Sequence, residues 1–137
     1  MHGTFATTSI RIEPAILYFG TPVVLIGTCN EDGSYNLAPM SSAWWVGWRC
    51  MLGLDRSSKS TENIIRSGEC VLNLASVDLV GAVDRLARTT GSDPVPPAKR
   101  MRGYRHEKDK FGLSGMTAEK GDTVSAPRAL ECPVQIE

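Results

Sequence analysis

The stretch Pro22-Val23-Val24-Leu25-Ile26-Gly27-Thr28-Cys29-Asn30-Glu31-Asp32-Gly33-Ser34-Tyr35-Asn36-Leu37-Ala38-Pro39 decides the class of fold. Pro22 to Cys29 is rich in Val and Ile, whose branched side chains suit a pleated strand. Asp32-Gly33 follows, and both residues tolerate the positive φ that a tight hairpin turn demands. Ser34 to Ala38 is then the return strand. Pro39 lacks the N–H that a ladder needs and is expected to end the regular pairing.

Working outward, residues 43–54 read as one long strand. At period two, Trp44, Val46, Trp48, Cys50, Leu52 and Leu54 share a face, which is expected to be the core face. Ala43, Trp45, Gly47, Arg49, Met51 and Gly53 share the other. A strand covered differently on its two sides suggests a barrel wall meeting a second body, such as another subunit. Trp44 and Trp48 are therefore assigned to core packing, and Trp45 to a ligand or subunit contact.

Ser60 to Gly68 is punctuated as a short helix, with Ser60 or Thr61 as cap and Gly68 in the left-handed closing position. Glu69 to Leu74 alternates as a strand. Leu79, Val83, Leu86 and Ala87 fall at helical spacing within a second helix over Asp78 to Thr90, closed by Gly91. Residues 92–110, rich in Pro, Gly and charge, read as a long loop. Arg128 to Glu137 reads as a final strand with no cap, and residues 1–13 as a loose leader. About five strands against about two helices predict a mainly β, barrel-like domain.

At 137 residues the chain has the size of one domain. Hydrophobic residues at 42% and charged residues at 22% exclude wholesale disorder. The apolar runs Pro22 to Gly27 and Ala43 to Gly47 are far too short to span a membrane. The N-terminus has no secretion-signal pattern, so a cytoplasmic address is expected. Fifteen Lys and Arg balance fifteen Asp and Glu, which leaves no nucleic-acid footprint in the total. Residues 85–110, however, hold eight basic side chains and three acidic ones. The ordinary reading of that stretch is a solvated basic loop; the alternative is a neighbouring anionic ligand. Cys29, Cys50, Cys70 and Cys132 match no zinc spacing and read as reduced thiols. His106 is placed on the surface, and Met40 is read as a gap-filler.

Two segments carry chemistry. Asn36-Leu37-Ala38-Pro39-Met40-Ser41-Ser42 leaves a strand, breaks at proline and offers hydroxyls and backbone N–H groups. Asp55-Arg56-Ser57-Ser58-Lys59-Ser60-Thr61 leads hydroxyls and cations into a helix N-terminus, which presents unpaired N–H groups and suits phosphate. A polar turn with a helix cap explains the second segment equally well. The standard glycine-rich mononucleotide loops are not present.

The ordered pieces Thr21-Pro22-Val23-Val24, Asn30-Glu31-Asp32-Gly33, Asn36 to Ser41, Arg56 to Ile64 and Glu69 to Leu74 resemble the flavin reductase-like domain family. So do Asp109-Lys110-Phe111-Gly112-Leu113 and Ala129 to Val134. The resemblance implies an FMN-binding split β-barrel acting as a homodimer, with FAD as a further flavin and NADH or NADPH as hydride donor. It implies that Asn36, Ala38, Pro39, Met40, Ser41 and Ser42 line the isoalloxazine ring and the near phosphate. Asp55, Arg56, Ser57, Lys59, Ser60 and Thr61 would hold the ribityl chain and phosphate, and the 92–110 loop would lie at the mouth. No catalytic acid is implied, since the flavin carries the redox step. Small-molecule partners are expected, and neither nucleic acid nor membrane. The family continues beyond the strand that begins near Ala129, so C-terminal closing strands are expected to be absent here. A non-catalytic flavin carrier serving a partner protein is the competing function.

Overall fold

The computed structural model describes residues 11–15 and 20–137. Of the leader expected over 1–13, residues 1–10 lie outside the described residues.

Strands β1 (Val24–Cys29) and β2 (Tyr35–Met40) form the expected hairpin, with Ile26 opposite Ala38 and Leu25 opposite Pro39. Asn30 N–H donates to the Ser34 carbonyl across the turn, where Gly33 takes φ +81°. Pro39 does not end the pairing. It stands inside β2, which is an edge strand, and Leu37 two residues earlier turns its carbonyl outward to Lys110. By period two Pro39 faces the same way, so its missing N–H removes no ladder bond.

Residues 43–54 are not one strand. β3 (Ala43–Val46) and β4 (Arg49–Leu52) form a hairpin whose two-residue tip is Gly47-Trp48, with Gly47 at φ +57°. That tip resets the phase. Ala43, Trp45, Cys50 and Leu52 now share the inner face, packed against Val24, Ile26 and Leu72. Trp44 and Val46 are more than half exposed, and Trp48 is fully exposed, so their assignment to a core is overturned; Met51, read onto the other face, is exposed beside them.

Helix α1 (Lys59–Ser67) is capped by Ser58 rather than Ser60 or Thr61, and closes at Gly68 with φ +73°. It leads into β5 (Val71–Leu74), which pairs antiparallel with β1. After a 3₁₀ turn at Val77–Leu79, α2 (Val80–Leu86) stops well short of the expected end. Ala87 leaves the helix with ψ 140°, Arg88 follows at φ +54°, and β6 (Thr89–Thr90) begins next. The expected loop 92–110 is largely ordered: it holds α3 (Pro97–Met101) and β7 (Arg105–His106), which pairs parallel with β6. Then come α4 (Lys110–Ser114), capped by Asp109, and β8 (Ala118–Lys120). The C-terminal segment is two strands, β9 (Pro127–Ala129) and β10 (Val134–Ile136), separated by a turn. It is also capped, because the Glu137 carboxylate accepts from the N–H groups of Asp122 and Thr123.

The main sheet runs β10-β5-β1-β2. Val24, Leu25 and Ile26 of β1 are fully buried, because both faces are covered. Leu25 joins Leu37, Leu86, Phe111, Met116 and Cys132 on one side; Val24 and Ile26 join Ala43, Leu72, Trp45 and Leu54 on the other. Each fully buried Val, Leu or Ile among them contributes ~1.5–3 kcal/mol of burial. β9 crosses β1 closely: a β-carbon on Gly27 would lie 2.1 Å from the Pro127 carbonyl oxygen. The chain is mainly β as expected, with four short α-helices rather than two among the described residues.

Candidate functional site

The N-terminus of α1 is fixed by a buried polar network. Asn36 Nδ2 donates to Ser60 Oγ at 3.2 Å and to Thr28 Oγ1 at 3.3 Å. Asn63 Nδ2 donates to Thr28 Oγ1 at 3.0 Å and to Asn30 Oδ1 at 2.8 Å. Thr28, Asn36, Ser60 and Asn63 are buried and satisfy one another, as buried polar groups require, while Asn30 sits at the edge of the network. Asn36 and Ser60, both named from the sequence, therefore sit in direct contact although 24 residues apart. Ser58 Oγ accepts the Thr61 N–H at 3.1 Å, and the Thr61 hydroxyl donates to the Asp55 carbonyl at 2.8 Å. Thr61 thus serves the cap.

This framework opens a cleft of about 530 Å³. β2 supplies Ala38, Pro39 and Met40, joined by Ser42; the approach to α1 supplies Asp55, Ser58 and Ser60. The structure accordingly brings the two sequence-named segments to one place. Some named residues point elsewhere. Arg56 and Ser57 line a separate recess with Ile65 and Arg66. Lys59 lies in another recess and pairs with Glu62 at 2.8 Å. Ser41 lines a neighbouring apolar cleft.

The opposite wall comes from the basic stretch: Arg88, Lys99, Arg102 and Tyr104. Sequence reading counts Arg88, Lys99 and Arg102 within the basic stretch and sets the 92–110 loop at the mouth, but names none of these four as a binding residue. Lys99 is 7% exposed, and its ammonium donates to the Ser57 carbonyl at 3.4 Å. Burial pushes its pKa down, against the pull of Asp55. The Asp55 carboxyl is held below its usual range by the Ser57 hydroxyl and then by the Ser57 N–H, with Lys99 and Arg102 adding to this. Arg102 lies 3.9 Å from Asp55 and stacks over the Tyr104 ring at 5.4 Å. Three cations against one carboxylate leave the cleft with an excess of positive charge.

The apolar cleft next door measures about 670 Å³ and shares Pro39, Met40 and Ala87 with the first. Trp45 lines it, together with Leu74, Val80 and Val83. Cys29, Cys50, Cys70 and Cys132 are free thiols. Among the described residues no cluster of metal-ligating side chains occurs. His106 is exposed, with Nδ1 3.2 Å from the Ser92 carbonyl. No helix among the described residues is long and apolar enough to cross a membrane.

A small β-barrel domain with a cationic cleft abutting an apolar one is the class that fold and site define. The chain belongs to the flavin reductase like domain family, whose model matches residues 16–137. It is 41% identical over 127 residues to the uncharacterized protein YdfE of Bacillus subtilis (strain 168), covering 93% of this chain and 61% of that relative. The chain thus spans about three fifths of that relative's length. Among solved structures it resembles the flavoredoxin of Desulfovibrio vulgaris (Miyazaki F), with a TM-score of 0.76 and 21% identity over 93% of this chain and 64% of that one. It also resembles a putative flavin reductase with split barrel domain from Shewanella frigidimarina NCIMB 400, with a TM-score of 0.65 and 21% identity over 84% of this chain and 52% of that one. The fold is that of the flavin reductase-like split barrels, as the sequence resemblance implied.

Proposed function

We propose that this domain binds FMN in the cationic cleft and passes reducing equivalents from NADH or NADPH to the flavin. One observation carries the reading. Lys99 is a largely buried side chain lining the cleft, and Asp55 attracts its ammonium only from beyond ion-pair distance. A buried cation is stable only with compensation, and a phosphate in the cleft would supply it. The residues present fit such a group, since Arg88 and Arg102 line the same cleft as Lys99.

Lys99, Arg102 and Arg88 would hold the phosphate; Ala38, Pro39, Met40 and Ser42 would line the ring. When bound, the flavin supplies hydride and single-electron chemistry. The protein's own part is to bind, to orient and to exclude water. The adjoining apolar cleft, sharing Met40 and Ala87, supports a second ligand meeting the first edge to edge. Homodimerisation is proposed through the outer face of the β3–β4 hairpin, where Trp44, Val46 and Met51 form an exposed apolar patch. FMN is preferred to FAD because the cleft is compact and its cations cluster.

Flavin fluorescence titration and oxidation of NADH and NADPH, followed by absorbance, test the reading. Saturable FMN binding with nicotinamide consumption supports it. FMN binding without consumption of either nicotinamide would favour a non-catalytic electron carrier. Absence of flavin binding would sink both.

A further inference from the structure

We propose that Lys110 is a positioning residue for the anion site, its ammonium acting from behind β2 to make the cleft's hold on a phosphorylated flavin dependent on pH. The proposal rests on the FMN reading above and adds a residue that does not line the cleft.

Lys110 opens α4, which packs against β2. It is 1% exposed and heads the fully buried side chains by volume. Its ammonium offers three donors, yet its hydrogen bond to the Leu37 carbonyl is long, at 3.5 Å. Among the described residues no carboxylate lies within 4 Å of it. Lysine is almost never so buried without a partner. Leu37 immediately precedes Ala38, where the cleft wall begins. The charge is thus stationed on the outer edge of the strand that continues into the site.

The groups around it are few. Lys99 of α3, on the cleft wall, repels it. Glu107 attracts it, while that carboxylate accepts the Asp109 N–H at 2.9 Å. Asp109 is engaged in capping α4 through the Gly112 N–H. Arg85 of α2 donates to the Leu113 and Ser114 carbonyls at the far end of the helix. Tyr35 of β2 packs its ring against Phe111. Burial first, and Lys99 second, push the Lys110 pKa down to about 8. Two like charges, one deeply and one partly buried, thus stand near each other with carboxylates only beyond ion-pair distance, and an anion in the cleft would offset both. Linkage makes the effect reciprocal: a bound phosphate favours the protonated lysine, and the protonated lysine tightens the phosphate by the same factor.

The test uses the full chain and FMN, with riboflavin as the probe that lacks phosphate. Above pH 7 the phosphate is already close to a dianion, so the slope there belongs to the protein. FMN affinity is expected to fall about tenfold between pH 7 and pH 9.5, a usual size for such coupling, with little change for riboflavin. Lys110→Arg should hold FMN tightly across the range; Lys110→Met should bind more weakly at pH 7 and lose much of the slope. A second measurement needs no variant: calorimetry of the wild-type chain at pH 8, in two buffers of different ionisation enthalpy, should show proton uptake on binding FMN. A flat profile, zero proton uptake, or an unchanged slope in folded Lys110→Met overturns the role of Lys110 while leaving the FMN site standing. Failure of FMN to bind at pH 7 overturns the site itself.

Discussion

The side-chain oxygen of Asn73 accepts the backbone N–H of Ala129 at 2.8 Å, while its amide nitrogen donates to the Leu25 carbonyl at 3.0 Å. One fully buried side chain on β5 thereby ties β1 to β9 and draws the C-terminal strands over the sheet. Asn73→Leu would leave a buried N–H and a buried carbonyl each short of a partner. The expected loss is about 2–3 kcal/mol, read from urea denaturation.

Gly27 faces Pro127 across the same junction. Alanine there would set its β-carbon 2.1 Å from a backbone oxygen, which no rotamer change can relieve. Gly27→Ala should cost at least ~1–3 kcal/mol and lower the thermal midpoint, the usual penalty of overpacking. An unchanged midpoint would mean that β9 does not cross β1 at this distance.

In the cleft, Lys99→Met removes a charge that is costly to bury when no anion is present. FMN affinity should fall by ~1–3 kcal/mol, one charged hydrogen bond, while the free protein keeps or gains stability. Arg56→Ala, in a separate recess, should change affinity far less. Equal effects at the two positions would argue against the assigned wall of cations.

Arg88 holds φ +54°, a region costly for a residue with a β-carbon, at the point where α2 gives way to β6. Arg88→Gly should relieve up to ~1 kcal/mol of that cost while removing a cation from the cleft. The expected result is unchanged or higher thermal stability together with weaker FMN binding. Paired melting and titration would check it.

Stability should also depend on Lys110. Its folded pKa of about 8 lies below the ordinary 10.5, so between those values the unfolded chain binds more protons. Stability then rises with pH through that window, by at most ~3 kcal/mol for this group, and is level below it, where both states carry the proton. Lys110→Met should be more stable than wild type at pH 7 and should lose this rise. Denaturation of both proteins at pH 7, 8.5 and 10 measures the difference.

Much of this was legible in the chain itself. Val24 to Cys29 and Asp32-Gly33 specify the first hairpin because β propensity and turn chemistry agree there. Gly68 marks the end of α1 for the same kind of local reason. The β3–β4 tip was missed because Gly47-Trp48 interrupts an apolar run without the usual polar turn residues, so alternation seemed to continue through it. The order in residues 92–110 was hidden too. Lys99 and Lys110 are buried by tertiary contacts, and nothing local separates them from solvated lysines. The segments flanking the cleft could be named from hydroxyls and cations; the direction each side chain takes depended on where α1 docks.

The two-residue tip at Gly47-Trp48 has a wider bearing. Loop parity decides which side chains of β4 meet water. One residue gained or lost there, with the strands keeping their places, would swap Arg49 and Met51 for Cys50 and Leu52 on the outward side. In relatives sharing this architecture, the length of that tip would therefore set the adhesive character of the surface more strongly than any single replacement along either strand.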